Sequence, residues 1–357
     1  MPTAEQRTDG LERPAVSGGR ATMRGHVLVR PGHIELRELP LPRAGADGVV
    51  IRVRAALTCG TDVKILRRGH TKVSLPVTMG HEVCGEIVEL GEGVSGWKIG
   101  ERAAPGVSGP CGRCADCAAG RANLCSGTPA WMWGTFAERV RIPAGIVAAN
   151  LHRVPEGVAD EVAAFLDPLA SVIHGWNRLG KPDPGPGTKM LIYGAGALAF
   201  LWAGLASKRG LDVTIAGRRP DRATLAGRFG AKFLDVSGGF PESSARPADI
   251  AVDCTGDRTV WERLPALVRP GGRVLLFGGC APGATVTFDA ARLHYSEISL
   301  IGSFHYTPEE AGASLEALAS GAIDPRPLIA ETGTLADLPR FLEAQQRGEG
   351  VRYAIRG

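Results

Sequence analysis

A glycine-rich turn in the middle of the chain restricts the fold most. Residues 182–187 read Pro-Asp-Pro-Gly-Pro-Gly, and the apolar run 189–193 after them predicts a buried strand. The turn 194–199 reads Gly-Ala-Gly-Ala-Leu-Ala, and a helical pattern continues to about Arg209. Strand, G-x-G-x-x-A turn and helix in this order are typical of a dinucleotide-binding unit, whose helix N-terminus meets the pyrophosphate. The predicted cofactor-binding residues of this turn are Gly194, Gly196, Ala197 and Leu198.

The chain after this turn predicts a doubly wound parallel sheet. Strand-like runs at 212–216, 250–256, 271–279 and 298–301 are separated by helical patterns. At the end of the second strand, an enzyme that selects NAD normally carries an acidic residue. Gly217 stands there instead and is followed by Arg218 and Arg219, whose guanidinium groups suit a 2′-phosphate. We therefore predict NADP(H) over NAD(H); the alternative is that both arginines lie on a solvated loop.

Four of the eight cysteines fall within fifteen positions, at Cys111, Cys114, Cys117 and Cys125. Two overlapping C-x-x-C spacings and a fourth thiol can close a tetrahedral zinc site that leaves no position for substrate. An iron–sulfur cluster uses similar thiols, but the tight spacing favours zinc. The sequence therefore predicts a structural zinc site that stabilises a loop with little apolar core.

A second set of metal-ligating residue types is spread along the chain. Thr58-Cys59-Gly60-Thr61-Asp62 and Met79-Gly80-His81-Glu82 offer a thiol, an imidazole and carboxylates, which a borderline-soft metal such as zinc prefers. Tertiary folding must bring them together, and a scattered Cys and His are often structural. Asp167, just before Pro168 in apolar surroundings, is costly to bury without a partner and is a candidate fourth participant.

Length and composition limit the organisation of the chain. At 357 residues two domains are expected, and the polar segment 1–22 predicts a disordered leader. Alternating apolar patterns before residue 104 predict a small β-barrel, and 351–355 predicts a strand that returns to it. A net charge of +4 gives no reason to expect nucleic acid or a membrane as a partner. No secretory pattern is visible, and we expect a cytoplasmic protein.

Residues near the two metal-ligating motifs are candidates to shape a pocket. Trp131 and Trp133 either line a pocket wall or fill a core, and core filling is the prediction. The loop 127–134 and the pair His305-Tyr306 are expected to form the pocket. His305 itself is predicted to be a packing or surface histidine rather than a substrate contact.

In this order the motifs resemble the zinc-dependent medium-chain dehydrogenases/reductases, in the branch of the polyol (sorbitol or xylitol) and threonine dehydrogenases. The resemblance runs from about Met23 to the end of the chain. It implies an α/β protein with a split, β-rich GroES-like catalytic domain at 23–172 and 303–357. A doubly wound Rossmann domain at 173–302 is inserted between these parts, and the active site lies in the cleft.

The resemblance also implies roles for single residues. Thr61 contacts the substrate oxygen, and Asp62 supports the site from behind. Asp167 takes the place of a glutamate usual in this branch, and Lys64 that of a histidine found in many relatives. Two zinc ions per subunit and a homodimer or homotetramer are expected. The implied catalytic residues are Cys59, Thr61, Asp62, His81 and Glu82, with Cys59, His81, Glu82 and Asp167 holding the catalytic zinc.

The activity expected from these residues is the interconversion of a secondary alcohol and its ketone, with hydride transfer to or from a nicotinamide cofactor. The small-molecule substrate would be a polyol, sugar, cyclitol or amino-alcohol. Two alternatives stay open: an NADPH-dependent ketone reductase of a biosynthetic pathway, and a nucleotide-binding zinc protein without catalysis.

Overall fold

A computed structural model describes residues 21–69, 73–127, 129–240 and 247–357. Of the predicted leader 1–22, residues 1–20 lie outside the described residues, and the first strand begins at Thr22. None of the described helices combines the length and the apolar character needed to cross a bilayer.

The strands of the described residues, in chain order, are β1 (Thr22–Arg30), β2 (His33–Pro40), β3 (Val49–Leu57), β4 (Val77–Thr78), β5 (Glu82–Leu90), β6 (Arg102–Pro105), β7 (Ser108–Gly109), β8 (Ala130–Trp131), β9 (Arg139–Ile142), β10 (Leu151–Arg153), β11 (Lys189–Tyr193), β12 (Asp212–Gly217), β13 (Lys232–Asp235), β14 (Ala248–Asp253), β15 (Val268–Leu276), β16 (Ser299–Gly302), β17 (Ile329–Gly333) and β18 (Arg352–Arg356).

The α-helices of the same residues are α1 (Gly60–Arg68), α2 (Ala115–Ala118), α3 (Ala144–Ala149), α4 (Asp160–Ala163), α5 (Leu166–Arg178), α6 (Ala197–Lys208), α7 (Ala223–Arg228), α8 (Arg258–Arg263), α9 (Ala290–Tyr295), α10 (Pro308–Ala319) and α11 (Leu338–Arg347). Short 3-10 helices lie at Ala122–Leu124, Pro220–Arg222, Leu264–Leu267, Arg326–Leu328 and Leu335–Asp337.

The first half of the chain and the C-terminal strands build the predicted β-rich unit. Its main sheet has the order β10-β6-β5-β3-β18-β17, with β9 also paired to β3, and smaller sheets β2-β1-β4 and β7-β8 stand beside it. The C-terminal strand β18 pairs antiparallel with β3, with Ala354 opposite Leu57, which confirms the predicted return. Buried apolar side chains such as Ile51, Phe136 and Phe341 fill the core of this unit.

The second half builds a parallel sheet in the order β13-β12-β11-β14-β15-β16. This is the strand order of a dinucleotide-binding fold, with the first strand of the unit at the point where the order reverses. The glycine-rich turn follows β11 directly, so it lies at the carboxyl edge of the sheet, where ligands bind in open α/β folds. Buried residues of α5, α6 and α10 pack together as one core with this sheet.

Two helical patterns are interrupted where the sequence suggested continuity. The pattern from Asp160 to Gly180 contains α4 and α5, because Pro168 lacks an N–H and is tolerated only in the first turn of a helix. The second pattern lies at residues 260–268, between the strand-like runs 250–256 and 271–279. There α8 is followed by a 3-10 helix with Pro265 in its first turn, and β15 already begins at Val268. The expected domain boundary between residues 172 and 173 falls inside α5.

Candidate active site

Cys59 is held at the N-terminus of α1 by a local hydrogen-bond pattern. It occupies the N-cap, its Sγ accepts a hydrogen bond from the Thr61 amide at 3.4 Å, and its own amide donates to Asp62 Oδ2 at 2.8 Å. Because the first amides of a helix carry partial positive charge, this position favours the thiolate, which is the form that binds metals.

His81 follows a turn that only glycine can make. Gly80 has φ +93°, and a Cβ placed on it would clash with Thr135 Oγ1 and the Phe136 ring. The Nδ1 atom of His81 then lies 3.1 Å from Asp62 Oδ1. A ring that donates its Nδ1–H to a carboxylate keeps Nε2 free for ligation, so Asp62 holds both Cys59 and His81 in place.

Glu82, the first residue of β5, completes a set of three donors. One donor atom each from Cys59, His81 and Glu82 lies within 4.8 Å of the others. Glu82 is 1% exposed, and its Oε2 lies 3.0 Å from Arg352 Nη1. Among the described residues this oxygen accepts no hydrogen bond of good geometry, since Arg352 Nη1 is directed to the Thr58 carbonyl at 2.6 Å. A buried carboxylate oxygen without a donor, beside a thiol and an imidazole, fits a zinc ion.

The charges around this set favour metal binding. Burial opposes ionisation of Cys59, but Arg352 and then His81 outweigh it and lower the pKa of the thiol to about 6. Burial also disfavours the imidazolium form of His81, yet Asp62 and Cys59 raise its pKa well above the usual value. Both shifts favour positive charge beside an ionised Cys59 thiol, and a bound cation would supply such a charge.

For Asp167 the structure differs from the expectation. Its carboxylate lies outside the three-donor set and accepts a hydrogen bond from the Tyr306 hydroxyl. Leu166 of α5 packs in one buried cluster with Cys84 of β5, the strand that begins at Glu82, so Asp167 lies on a helix packed beside the set. Burial raises the pKa of Glu82, Arg352 opposes the rise, and the charge of Asp167 adds to it. Tyr306 was expected only as a pocket residue; no signal in the sequence links it to Asp167, 139 positions away.

Trp133 lies next to the Cys59–His81–Glu82 set, and Trp131 packs against His305. Trp133 packs edge-on to His81, with ring centroids 5.6 Å apart, and Trp131 lies 5.5 Å from the His305 ring. Both tryptophans also touch buried apolar clusters, so core filling is only part of their role. His305, at φ +58°, lies 2.5 Å from Ser108 Oγ through its Nε2 atom, which agrees with the predicted packing role.

The four-cysteine loop is gathered as predicted. One sulfur each from Cys111, Cys114, Cys117 and Cys125 lies within 4.8 Å of the others, and neither α2 nor the 3-10 helix Ala122–Leu124 contains a buried residue. Hydrogen bonds from the Cys117 and Gly127 amides lower the pKa of Cys114 to about 5. A loop without a core, closed by four sulfurs, fits a tetrahedral zinc site.

The glycine-rich turn has the geometry that a pyrophosphate needs. Gly194 has φ +116°, and Gly196 is the N-cap of α6, with open space where a Cβ would stand. Ala197 and Leu198 form the first helical turn, and Ala199 is fully buried against the sheet. The first amides of α6 are therefore accessible to a phosphate.

The two arginines after β12 differ from each other. A Cβ on Gly217 would lie 2.8 Å from the Ala195 Cβ, so an acidic side chain there would collide with the turn. Arg218 is exposed. Arg219 instead donates to the Arg347 carbonyl at 2.9 Å and lies 3.4 Å from Asp221. Arg219 still exposes 42% of its side chain, so the binding of a 2′-phosphate by Arg218 and Arg219 stays a prediction, with Arg218 the more open of the two.

Comparisons with known proteins agree with this geometry. Residues 45–156 match the alcohol dehydrogenase GroES-like domain, and residues 197–320 match the zinc-binding dehydrogenase family. The chain is 30% identical over 337 residues to the sorbitol dehydrogenase of Halalkalibacterium halodurans, which is 91% of this chain and 96% of that protein. It is 27% identical over 345 residues to an L-threonine 3-dehydrogenase of Rhizobium rhizogenes, covering 90% and 94%.

A solved structure is similar over nearly the whole fold. It is a zinc-binding dehydrogenase from Sinorhizobium meliloti 1021 bound to NADP, with a TM-score of 0.85 and 28% identity, covering 95% of this chain and 100% of that one. The chain therefore belongs to the zinc-dependent medium-chain dehydrogenases/reductases. Within that family it lies in the branch of the polyol and threonine dehydrogenases, and it is an oxidoreductase of alcohols that uses zinc and a nicotinamide cofactor.

Proposed function

We propose that this enzyme oxidises a secondary alcohol group of a polyol, sugar, cyclitol or amino-alcohol at the Cys59–His81–Glu82 set. The observation that supports this most is the buried carboxylate oxygen of Glu82 that lacks a donor beside a thiol and an imidazole. When bound, zinc supplies Lewis acidity toward the alcohol oxygen, and the nicotinamide coenzyme supplies the hydride acceptor.

The chain's own residues orient the donors, balance their charges and carry the proton of the alcohol away from the site. Asp62 fixes the orientation of His81, and Arg352 balances the negative charges of Cys59 and Glu82. Thr61 is exposed on the first turn of α1, two residues after Cys59. We assign its hydroxyl to take the proton of the alcohol outward as the C–H hydride leaves. Asp167 acts beside the donor set rather than within it.

The metal content proposed is two zinc ions per subunit, one at the Cys59 set and one at the four-cysteine loop. Elemental analysis of fully loaded enzyme is expected to find two equivalents. A single equivalent that survives Cys59→Ala and is lost on substitution of Cys114 would contradict the catalytic site.

For the coenzyme we propose NADP(H) over NAD(H), supported by Gly217 and the exposed Arg218. Since a hydrogen bond to a charged group contributes about 1.5–3 kcal/mol, Arg218→Ala should raise KM for NADP⁺ about tenfold or more. KM for NAD⁺ should stay unchanged. A higher kcat/KM with NAD⁺ than with NADP⁺ in the unmodified enzyme would refute the preference.

The test of the activity is the absorbance of the reduced nicotinamide when the enzyme is mixed with NADP⁺ or NAD⁺ and a panel of polyols, sugars, cyclitols and amino-alcohols. Turnover of at least one of these alcohols that is lost in Cys59→Ala supports the proposal. Turnover only of ketones with NADPH would favour the reductase alternative. If the coenzyme binds but neither alcohols nor ketones are turned over, the non-catalytic alternative would be favoured. We further propose a homodimer or homotetramer, to be measured by analytical ultracentrifugation; the edge strand β16 offers one pairing surface.

A further inference from the structure

Tyr306 lies in the segment through which the chain leaves β16 for α10. It is 2% exposed, and its hydroxyl has two partners. The oxygen accepts the Val107 N–H at 3.0 Å, and the proton is donated to Asp167 Oδ1. Because the Val107 amide can only donate, the single hydroxyl proton is directed to Asp167. The hydrogen bond therefore has a fixed polarity, and Asp167 is held as its acceptor.

The ring of Tyr306 is fixed on both sides along the chain. The preceding His305 has a left-handed backbone and lies against Ser108. The following Thr307 caps α10, with its side chain and that of Glu310 bonded reciprocally to backbone amides. The Val107 carbonyl also accepts the Met132 amide at 3.0 Å, so the group that orients the hydroxyl is itself held. Tyr306 therefore has little freedom to follow a displaced carboxylate.

The backbone that carries Asp167 is equally fixed. Asp167 lies in the first turn of α5, where the Leu166 carbonyl accepts the Ser314 hydroxyl of α10 at 2.9 Å. The rotation of the Asp167 side chain is what remains free. Among the described residues, Tyr306 is the side chain that donates to its carboxylate.

We propose that Tyr306 is a positioning residue: its hydroxyl fixes the direction in which the Asp167 carboxylate faces the Cys59–His81–Glu82 set, and thereby how this acid meets the catalytic metal. The inference rests on the proposed function of that set and of Asp167. Residues that orient an acid at a metal centre in this way typically change metal affinity or activity about 10-fold to 100-fold when they are replaced.

The experiment is a double-mutant cycle with Tyr306→Phe, Asp167→Ala and both together, in the full-length enzyme with cobalt at the catalytic site. Tyr353→Phe is the matched control, since this buried tyrosine loses a hydroxyl bond to the Glu349 carbonyl instead. The measurements are the visible cobalt spectrum, the rate of metal release to a chelator, and kcat separately from KM. Tyr306→Phe should shift the spectrum and speed metal release about 10-fold or more. The double variant should match Asp167→Ala alone.

Two outcomes would overturn the proposal, and they are distinguishable. If Tyr306→Phe acts as strongly in the Asp167→Ala background as in the unmodified enzyme, Tyr306 does not act through Asp167, although Asp167 keeps its role. If Asp167→Ala by itself leaves spectrum, release rate and kcat unchanged, the role of Asp167 fails as well. Should Tyr306→Phe not fold, Asp167→Glu displaces the carboxylate from the fixed hydroxyl, and an unchanged cobalt spectrum in that variant overturns the inference.

Discussion

The two candidate metal centres of this chain are built in opposite ways. The four-cysteine loop takes all its donors from fifteen consecutive positions, and its helical segments bury no side chain. The Cys59–His81–Glu82 set takes its donors from the N-terminus of α1 and the start of β5, and Asp62 and Arg352 contact it. The first centre depends on local spacing and the second on the packing of distant segments. A closed site that stabilises a loop needs only the right local spacing of its ligands. A site that acts on a substrate also needs neighbouring residues that orient its ligands.

The largest effect expected from this difference is on turnover. Cys59→Ala removes a donor from the second centre, and kcat should fall about 1,000-fold or more, since a metal contributes several kcal/mol to the stabilisation of developing charge. Far-UV circular dichroism and the metal of the four-cysteine loop should be unchanged. Cys280→Ala, which changes a half-buried thiol outside both sets, is the control. Full activity of a Cys59→Ala enzyme without metal at that site would break the comparison.

The next effect concerns the neighbours rather than the donors. Asp62→Asn weakens the hydrogen bond that orients His81, and kcat/KM should fall about 10-fold to 100-fold with weaker metal retention. Asp324→Asn, which alters an exposed ion pair with Arg326, should leave both quantities unchanged. Equal kinetics for the two variants would show that the catalytic centre needs no more support than the four-cysteine loop.

A smaller effect on turnover is expected at the four-cysteine loop. Cys114→Ser should remove one zinc equivalent and open residues 111–125 to limited proteolysis, because this loop has no core to hold it. The loss of kcat should be less than about tenfold. This is much smaller than the loss expected for Cys59→Ala, which removes a donor of the metal that binds the substrate oxygen. The loop contacts the rest of the enzyme through Asn123, which donates to the Phe304 carbonyl at 3.0 Å. A loss of kcat as large as that of Cys59→Ala would remove the distinction between the centres.

The smallest effects come from a matched pair of glycines. Gly80→Ala places a side chain at φ +93° and against Thr135, and should lower the free energy of unfolding by about 1–3 kcal/mol. Gly127→Ala has no such backbone strain, but its Cβ would lie 2.6 Å from Cys111 Sγ. Gly127→Ala should weaken zinc binding at the loop with little change in the free energy of unfolding. Thermal melts and metal titrations of both variants would show whether the loss of stability is confined to Gly80→Ala and the loss of zinc affinity to Gly127→Ala.

Much of this fold was accessible from the sequence because its signals are local. The turn at Gly194 follows a strand and opens a helix, so its backbone conformation and its place at the sheet edge can be predicted from neighbouring residues. Local spacing does not record a neighbour that comes from elsewhere in the chain. The Arg347 carbonyl at the end of α11, which accepts a hydrogen bond from Arg219, is one such neighbour.

The sequence by itself determined the class of the protein, the order of its elements and which four cysteines group together, since the motifs that carry these predictions are spaced over a few residues each. Only the tertiary structure decided that Glu82 lies against Arg352, that Trp133 packs on His81, and that Asp167 is held by Tyr306 outside the donor set. The physical reason is that a buried charge takes its environment from whatever segments pack around it. Those segments are far apart in this chain, and residue types and spacing do not record which of them meet.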